Sequence, residues 1–362
     1  MGVKAILMAG GKGTRLRPIT YSIPKPLVPI AGRPCIGYSL DAYRRAGIND
    51  VIITTGYKFE SLITGVLEYK DLQQNILFSV EKEPAGTAGG IKLVSRFIDD
   101  TFIVGSGDIL ADFDIKEILE FHRKKKAKIT IVLSEVEDPS QMGIVELRDG
   151  KITKFLEKPS RDEIFSNQVN AGIYIIEPEI LDEIPEGVQF DFSKDLFPKL
   201  MRKGVEIFGY KGNGTWLDTG RPRDMIKANQ IMVEKYGKNI DLPNMKGTFI
   251  IKNVDEMKGI KLEGPTFISE KVKIGEGSTI KGTAIYSNVE IGNNVEIEDS
   301  IIMDCSKVRS GSKVIKSVLM RNTSIGSDCI VQESVISPDL SLQNGSRVYN
   351  VALSSDQTVN DS

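Results

Sequence analysis

The chain has 362 residues, more than a single hydrophobic core usually serves, so we expect at least two domains. Apolar residues make up 40% and charged residues 27% of the sequence, which excludes collagen-like and wholly disordered classes. Lys and Arg total 47 against 49 Asp and Glu, for a net charge of -2. This balance gives no overall basic field, so we expect no nucleic-acid partner.

The cysteine content and the hydropathy of the sequence indicate where in the cell the protein is expected. Cys35, Cys305 and Cys329 are an odd number, at spacings that match neither a zinc site nor a disulfide framework. No apolar run approaches the roughly 20 residues of a membrane span, and the first residues lack a signal-peptide pattern. We therefore expect a soluble, cytoplasmic protein with no membrane partner.

From residue 3 to about residue 237, short β-type runs alternate with helical patterns such as those at 36–45 and 116–125. Strands that alternate with helices usually form a parallel sheet. The sequence therefore predicts an α/β domain over residues 1–237, with a Rossmann-like, mostly parallel sheet wrapped by helices. The β-type runs are Val3–Met8, Val51–Thr55, Ile76–Val80, Phe102–Gly105 and Ile129–Leu133.

The character of the sequence changes after residue 238. Asp241–Asn244 and scattered Gly and Pro residues indicate a linker over residues 238–264. Beyond the linker, aliphatic residues recur at spacings of six, six and five, so the true period is 17. The aliphatic positions are Ile268, Ile274, Ile280, Ile285, Ile291, Ile297, Ile302, Val308, Val314, Leu319, Ile325, Val331, Ile336, Leu342 and Val348.

A 17-residue period with three aliphatic positions is typical of a coil with three short flat faces, each sending one side chain into a shared interior. One such coil cannot bury its own apolar residues, so neighbouring coils must stack. The repeat therefore predicts about five coils of a parallel β-helix over residues 265–352, followed by a polar tail over residues 353–362. The pattern resembles that of hexapeptide-repeat proteins, and the resemblance implies a left-handed β-helix.

A glycine-rich loop, AGGKGTRLRP at residues 9–18, follows the first β-type run. Consecutive backbone amides in such a loop can point at phosphate oxygens. Its spacing matches neither the P-loop nor the GxGxxG fingerprint. Lys12 and Arg15 lie in the loop and Lys25 follows it, and we expect these cations to surround a triphosphate.

Two aspartates are candidate metal ligands. Asp108 follows the β-type run at 102–105 and a short turn, which places its carboxylate at the carboxyl edge of the predicted sheet, where ligands of open α/β folds bind. Asp218 lies in the segment GTWLDTG at 214–220. Taken alone, either residue also fits a turn or a helix cap. Two hard oxygen ligands together with triphosphate oxygens are what Mg²⁺ prefers.

A series of short motifs spans nearly the whole first domain. The motifs are GGKGTRL at 10–16, PKP at 24–26, EPAGTAG at 83–89, GD at 107–108, Gly143, EKP at 157–159, NAG at 170–172 and WLDTG at 216–220. Together they resemble the signature of the sugar-1-phosphate nucleotidyltransferase family. The resemblance implies an enzyme that joins a nucleoside triphosphate to a hexose 1-phosphate, releases pyrophosphate and uses Mg²⁺ as its cofactor.

The resemblance also implies a role for each matched residue. Asp108 and Asp218 would hold the metal ion and, with Arg15, Lys25 and Lys158, form the catalytic group. The implied nucleotide-binding residues are Ala9, Gly10, Gly11, Lys12, Gly13, Thr14, Glu83, Gly86 and Thr87. The implied sugar-binding residues are Gly143, Glu157, Asn170 and Gly172.

The chain has one histidine, His122, in a helical pattern that favours a structural role. The implied reaction needs no histidine base, because a phosphate monoester has a second pKa of about 6 and is already an anion at neutral pH. The barrier lies in bringing that anion to a polyanionic triphosphate. We expect Arg15, Lys25, Lys158 and one or two Mg²⁺ ions to lower it by positioning and electrostatics.

The substrate pair has alternatives at the level of sequence. The segments EPAGTAG at 83–89 and IPKPL at 23–27 look most like those of mannose-1-phosphate guanylyltransferases, which use GTP. Glucose-1-phosphate thymidylyl- or uridylyltransferase, with dTTP or UTP, is the nearest alternative.

Two other classes share this two-domain plan. A non-catalytic assembly or regulatory subunit would resemble it, but the joint presence of Arg15, Lys25, Asp108, Lys158 and Asp218 speaks against that class. A β-helix that transfers acyl groups would need a histidine base, and residues 238–362 contain none. We expect the β-helix to act as a scaffold, a regulatory surface or the subunit interface of a homo-oligomer.

Overall fold

The structure is a computed structural model that describes residues 2–252 and 259–354. By spatial contacts the chain divides into two units. Residues 1–12 and 35–217 belong to the first unit, whereas residues 13–34 and the chain from Asp218 onward belong to the second. The boundaries expected at residues 237 and 264 stay a prediction.

The centre of the first unit is a nine-stranded sheet with the order β3-β2-β1-β4-β8-β5-β9-β7-β6. The five predicted β-type runs are all present in it, as β1 to β5. In chain order the strands are β1 (Lys4–Met8), β2 (Asp50–Thr55), β3 (Asn75–Val80), β4 (Phe102–Ser106), β5 (Ile129–Glu135), β6 (Gly143–Arg148), β7 (Lys151–Glu157), β8 (Gln168–Ile176) and β9 (Ile207–Lys211).

The sheet is mixed, but most of its strands run in one direction. β3, β2, β1 and β4 pair in parallel, as do β5 and β9. β8 lies antiparallel between β4 and β5, and β7 lies antiparallel between β9 and β6. Every strand except β7 and β8 therefore points the same way, which confirms the predicted α/β sheet and brings several strand ends to one edge.

Helix α4 (Ile115–Lys125) buries one face in the first unit. Its buried residues Ile115, Ile118, Leu119 and His122 have the spacing of one helical face, and Asp114 caps the start by accepting from the backbone amides of the first turn. None of the described helices is long and apolar enough to cross a membrane. The helices are α1 (Cys35–Arg45), α2 (Phe59–Leu67), α3 (Thr87–Lys92), α4 (Ile115–Lys125) and α5 (Phe197–Arg202). Two further short strands are Ile109–Asp112 and Thr215–Asp218.

The second unit contains the predicted parallel β-helix. Its short strands stack in three columns. From residue 266 onward each paired residue lies opposite the residue 17 positions later, as Ile280 does with Ile297, whereas Lys261–Glu263 pairs with residues 18 positions later. The first column is Lys261–Glu263, Thr279–Lys281, Glu296–Glu298, Lys313–Ile315, Ile330–Gln332 and Arg347–Tyr349. The second is Thr266–Ile268, Ala284–Ile285, Ile301–Ile302, Val318–Leu319, Val335–Ile336 and Ala352–Leu353. The third is Lys273–Ile274, Glu290–Ile291, Lys307–Val308, Ser324–Ile325 and Ser341–Leu342.

The 15 aliphatic positions predicted from the 17-residue period all lie in or against the interior of the β-helix. Thirteen of them, from Ile268 to Ile336, are buried in one hydrophobic cluster, and the last two, Leu342 and Val348, are partly buried against it. These two side chains are less buried because, within the described residues, the last coil has a neighbour on one side only. Stacking of identical apolar positions therefore holds this unit together.

One buried asparagine ties helix α6 (Pro222–Tyr236) to the rest of the second unit. Asn229 Oδ1 accepts from the Ala31 backbone amide at 2.7 Å and from the Tyr286 hydroxyl at 3.0 Å. Its Nδ2 donates to the Met225 carbonyl at 2.9 Å. The short hairpin of Pro29–Ile30 and Arg33–Pro34, the helix and the β-helix are thus joined through a single side chain.

The range 238–264, which the sequence marks as a linker, contains three strands. Lys238–Leu242 pairs antiparallel with Met245–Ile251, which in turn pairs in parallel with Lys261–Glu263 and with the strand that begins at Thr266. Residues 253–258 of this range lie outside the described residues, as does the predicted polar tail from residue 355.

Candidate active site

The carboxyl edge of the parallel strands in the first unit opens into a cavity of about 540 Å³. Each of the strands β1, β2, β3 and β4 is followed by residues that line it, as expected for a ligand site in an open α/β sheet. The lining residues are Met8, Gly10, Gly11, Lys12, Thr54, Gly56, Tyr57, Glu81, Lys82, Pro84, Gly86, Thr87, Ser106, Asp108, Gln189 and Asp191.

The glycine loop passes close to Asp108. The loop is tied to β2 at its start, where the Ala9 backbone amide donates to the Thr54 carbonyl at 2.8 Å. A Cβ added at Gly11 would lie 3.9 Å from Asp108 Oδ2, and Ser106 Oγ donates to Asp108 Oδ1. The predicted phosphate loop and the predicted metal ligand of this unit therefore face the same cavity.

The far wall of the cavity is a loop fixed by Thr87 and Asp191. The Thr87 backbone amide and hydroxyl donate to Asp191 Oδ1 at 2.9 and 3.0 Å, and the Phe192 amide donates to the Thr87 hydroxyl at 3.0 Å. Gly86 has a φ of 78°, and a Cβ there would lie 2.7 Å from the Phe190 carbonyl oxygen. Only glycine fits this position without displacement.

Two neighbouring glutamates have different surroundings. Glu83, predicted to bind nucleotide, lines an adjacent groove instead of this cavity. Glu81, which the sequence did not single out, lines the cavity, and its Oε2 accepts from the Ala85 backbone amide at 3.3 Å. Burial raises the pKa of Glu81 above its usual value, against the lowering effect of the Ala85 amide.

The predicted cations of the second unit converge on Asp218. Lys25 Nζ lies 2.8 Å from Asp218 Oδ1, and Arg15 Nη2 lies 3.0 Å from Oδ2. The Lys25 side chain is 7% exposed and that of Arg15 is 55% exposed, so the lysine pair is the less screened of the two. Burial raises the pKa of Asp218, but the charges and hydrogen bonds of Lys25 and Arg15 outweigh it and bring the pKa below its usual value.

The backbone around these cations is tightly built. Gly13 has a φ of 59°, and a Cβ there would lie 2.8 Å from Thr20 Cγ2 and 3.2 Å from Lys25 Cβ. The Thr20 hydroxyl donates to the Gly13 carbonyl at 2.9 Å, and Thr14 begins a short 3₁₀ helix, Thr14–Leu16. Gly13 thus allows the chain to turn against the stem of Lys25.

A second polar group of the first unit gathers most of the predicted sugar-binding residues. Gly143 and Glu157 pair across β6 and β7, and a Cβ at Gly143 would lie 2.8 Å from Glu157 Oε2. Asn170 Oδ1 accepts from the Gly172 amide at 2.9 Å, while its Nδ2 donates to the Ser193 hydroxyl at 3.2 Å.

The same serine joins Glu157 to this group. Burial raises the pKa of Glu157, and the charge of Lys158 and a hydrogen bond from Ser193 oppose the rise. Lys158 follows the last residue of β7; its φ is 48° and its amide donates to the Met142 carbonyl at 3.0 Å. Ser193 was not foreseen because only the fold brings it beside Asn170, 23 positions earlier.

His122 lies away from these groups, in the interior of the first unit. Its Nδ1 is 2.8 Å from the Thr130 hydroxyl, and its Nε2 is 3.0 Å from Glu177 Oε1. Burial lowers the pKa of His122, although Glu177 opposes the shift. These contacts fit the structural role expected for it.

Comparisons with known proteins identify the family of the chain. The sequence model of the nucleotidyl transferase family matches residues 4–235, and that of the GMPPB C-terminal domain matches residues 262–362. The chain therefore belongs to the nucleotidyl transferase family, and it is a sugar-1-phosphate nucleotidyltransferase.

Among curated relatives, a UTP–glucose-1-phosphate uridylyltransferase of Synechocystis is 33% identical over 326 residues and covers 84% of each chain. A mannose-1-phosphate guanylyltransferase of Mycobacterium tuberculosis is 33% identical over 300 residues, covering 82% of this chain and 83% of the relative. Among solved structures, HddC from Yersinia pseudotuberculosis in complex with GMP-PN is 28% identical with a TM-score of 0.55, covering 64% of this chain and all of that one.

Proposed function

We propose that this chain transfers a guanylyl group from GTP to mannose 1-phosphate, giving GDP-mannose and pyrophosphate. The observation that carries the proposal is the cavity of the first unit, where a glycine loop, Asp108 and a fixed far wall meet at the carboxyl edge of the sheet. Mannose-1-phosphate guanylyltransferases of several species are among the relatives, and the C-terminal match is to the GMPPB domain.

Glucose-1-phosphate uridylyl- or thymidylyltransferase is the second candidate. The Synechocystis relative is a uridylyltransferase, and a solved structure with a TM-score of 0.58 and 25% identity is described as a thymidylyltransferase from Bacillus anthracis. Either activity would use the same loop and carboxylates, because the nucleobase and the sugar lie outside the reacting phosphates.

The glycine loop is assigned to the triphosphate. Gly10, Gly11 and Lys12 line the cavity, and backbone amides of such a loop supply several donors to phosphate oxygens without a bulky side chain. Ala9, Gly13 and Thr14 complete the loop in sequence. Thr87 and Gly86 wall the opposite side, where the backbone geometry is fixed by Asp191 and Phe190.

In the reaction, an oxygen of the sugar phosphate attacks the α-phosphorus of the triphosphate. The new bond is this oxygen to the α-phosphorus, and the bond to the bridging oxygen breaks, so pyrophosphate leaves with that electron pair. No general base is required, because the attacking oxygen is ionised at neutral pH. The task of the protein is to orient three charged groups and to neutralise the leaving group.

Arg15 and Lys25 are assigned to that neutralisation. Lys25 is almost fully buried, and a buried cation acts more strongly on a developing charge than an exposed one. Asp218 contacts both cations and so fixes the positions of the nearly buried Lys25 and the more exposed Arg15. Lys158, at the end of β7, is assigned to the phosphate of the sugar substrate.

Nucleotidyltransferases of this family generally use a divalent metal ion, and Mg²⁺ suits the carboxylates of this chain. Mg²⁺ is commonly held by one or two carboxylates together with water and substrate phosphates. Asp108 and Asp218 each offer such a carboxylate, since the ion pairs of Asp218 leave further lone pairs on its oxygens. When bound, the ion would neutralise phosphate charge and hold the phosphates in place.

The sugar is assigned to the polar group of Gly143, Glu157, Asn170 and Gly172. Carboxylate and amide oxygens there can accept from sugar hydroxyls, and the close approach of Gly143 to Glu157 leaves no room for a larger side chain. The β-helix is assigned a scaffold or homo-oligomer role, which light scattering of the purified protein tests.

Incubation with Mg²⁺ and a matrix of GTP, UTP, dTTP and ATP against mannose 1-phosphate and glucose 1-phosphate tests the proposal. We expect GDP-mannose, identified by mass, as the main product. Release of pyrophosphate only with UTP or dTTP and glucose 1-phosphate would support the second candidate. No product with any pair would indicate a non-catalytic subunit.

A further inference from the structure

An open groove of about 520 Å³ lies on the outer surface of the β-helix, over its third column of strands. Residues of four successive coils line it, from Lys273 in the first of these coils to Ser327 in the fourth. All of its lining residues belong to the second unit, and none of them has a role in the proposed transfer.

The groove exists because a glycine stands beside Arg309 in the stack. Residues 275, 292, 309 and 326 occupy equivalent positions of successive coils, and three of the four are glycine. The Gly292 amide donates to the Val308 carbonyl of the next coil at 2.8 Å. A Cβ at Gly292 would lie 2.6 Å from the Ser310 backbone nitrogen, so a larger side chain cannot fill the groove without displacing that coil. Arg309 therefore borders an open space beside the backbone of Gly292.

Three cations and one carboxylate surround this space. Lys273, Glu290 and Lys307 lie opposite one another on three successive strands. Lys307 Nζ lies 3.1 Å from Glu290 Oε2. Among the described residues, Lys273 and Arg309 form no ion pair. The groove therefore has an excess of positive charge, which favours an anionic ligand.

The hydrogen-bond donors of the groove suit phosphate oxygens. The guanidinium group of Arg309 is a planar fork of N–H groups that matches two such oxygens. The Ser310 hydroxyl oxygen accepts from the Asn293 backbone amide at 3.1 Å, so its hydrogen remains available for donation to a ligand. Ser327 contributes a second hydroxyl group.

The cations lie at both ends of the groove. Lys273 and Lys307 are two coils apart, roughly 10 Å at the usual strand spacing, and Arg309 lies on the same coil as Lys307. Two linked phosphate groups extend farther along the groove than one and carry more negative charge. The spacing of the cations therefore favours a diphosphate over a single phosphate.

We propose that this groove binds a diphosphate group through Lys273, Lys307 and Arg309, with Ser310 as an uncharged donor. Its residues are separate from those assigned to the proposed transfer, so failure of one proposal leaves the other intact. Inorganic pyrophosphate and the diphosphate of a nucleotide share this chemistry, and the experiment tests each of them.

Acetylation of lysine side chains with an N-hydroxysuccinimide ester, measured for each peptide by mass spectrometry, reports on the groove directly. In the full-length protein, pyrophosphate or GDP should slow the acetylation of Lys273 and Lys307. Lys313 is the matched control, because it forms an equivalent ion pair with Glu296 on the first column and is equally exposed. Its acetylation should stay unchanged. Half protection by inorganic phosphate should require roughly 5- to 10-fold more ligand than half protection by pyrophosphate.

The outcomes separate a site from general screening of charge. Protection by pyrophosphate alone or by GDP alone supports the proposal and identifies the source of the diphosphate. Protection by neither overturns it. Equal slowing at Lys313, or slowing that sodium chloride reproduces at the same ionic strength, also overturns it, because screening acts on every exposed lysine.

Two substitutions should shift binding in opposite directions. Arg309→Ala removes the guanidinium fork, so the pyrophosphate concentration for half protection of Lys273 should rise about 5- to 10-fold. Glu290→Gln removes a carboxylate that repels the ligand and competes for Lys307, so the same concentration should fall about two- to fivefold. Lys313→Ala should leave it unchanged. Thermal unfolding shows whether each variant folds, and wild-type protection in folded Arg309→Ala would overturn the assignment.

Discussion

Lys25 and Asp218 form an ion pair of 2.8 Å although 193 positions separate them in the sequence. The Lys25 side chain is nearly enclosed, so the charge of Asp218 compensates in part for the lost hydration of its ammonium group. Two effects follow: loss of either partner should destabilise the second unit, and the pair holds the ammonium group at a fixed position. The two effects can be measured separately.

Replacement of Lys25 by alanine should affect rate at least as much as substrate binding, because a fixed cation matters most when charge develops on the leaving group. We expect kcat to fall by at least 10²-fold and the free energy of unfolding to fall by about 1–3 kcal/mol. Steady-state kinetics and urea unfolding check both values. Lys227→Ala, at an exposed site on α6, should change neither. A change in KM alone would mean that Lys25 only recruits substrate.

Substitution of Asp108 or Asp218 should impair turnover in both cases, but the two variants should differ in their stability to unfolding. Asp108→Asn and Asp218→Asn should each reduce pyrophosphate release by about 10²-fold or more, since an amide is a weaker metal ligand than a carboxylate. Asp218→Asn should also lower the unfolding temperature, because it removes the carboxylate charge that pairs with the nearly buried Lys25.

Asp108→Asn should lose less stability than Asp218→Asn, because the amide oxygen of asparagine can still accept from the Ser106 hydroxyl. Asp114→Asn provides the control, since Asp114 caps α4 and asparagine is an equally good cap. Wild-type pyrophosphate release by Asp108→Asn or Asp218→Asn would remove that residue from the proposed metal ligands.

The β-helix and the strands of the sheet could be predicted from the sequence, because their contacts follow from local, repeated patterns. Each coil of the β-helix repeats the contacts of its neighbour, so one 17-residue period determines which side chains point inward. Asp108 could be placed at the edge of the sheet because the carboxyl end of a strand is a position that local sequence can identify.

Sequence reasoning could not find contacts made by the tertiary fold. Asp191 meets Thr87 across 104 positions, and no motif links them. Glu81 and Glu83 differ in surroundings only through the path of the backbone after β3. The strands in the range 238–264 depend on pairing with later coils, whereas the Pro and Gly residues there gave a local linker signal.

Gly86→Ala should disturb the far wall of the cavity. The substitution combines a positive φ with a Cβ 2.7 Å from the Phe190 carbonyl, so the backbone must move. We expect loss of about 1–3 kcal/mol of unfolding free energy and a rise in KM for the triphosphate. Gly187 has a similar φ of 72°, and no atom lies within 4 Å of a Cβ added there. Gly187→Ala therefore measures the cost of the positive φ alone. Equal effects of the two changes would contradict the steric argument.

The interior of the β-helix should be more sensitive in the middle than at the end. Leu319 is fully buried, so Leu319→Ala should cost about 2–5 kcal/mol of unfolding free energy. Leu342 is only partly buried in the last described coils, and Leu342→Ala should cost clearly less. Urea unfolding of both variants checks the difference. Similar losses would indicate that another surface covers the end of the β-helix in solution.

The buried His122 should make stability depend on pH in a window set by its own titration. Burial lowers its pKa in the folded state, against the hydrogen bond and charge of Glu177, and Arg123 lowers it further. The unfolded chain therefore binds more protons between this lowered pKa and the ordinary value of about 6.5, so the free energy of unfolding should rise with pH across that window and level off above it.

Because the chain has one histidine, its imidazole gives a single Hε1 signal whose titration by NMR measures the pKa directly. His122→Gln, which can still bond to Thr130 and Glu177, should lose the rise in stability between these pH values while other groups titrate as before. The difference between the two unfolding curves isolates the histidine, with a slope of at most about 1.4 kcal/mol per pH unit. A midpoint at or above the ordinary value would mean that the charge of Glu177 outweighs burial.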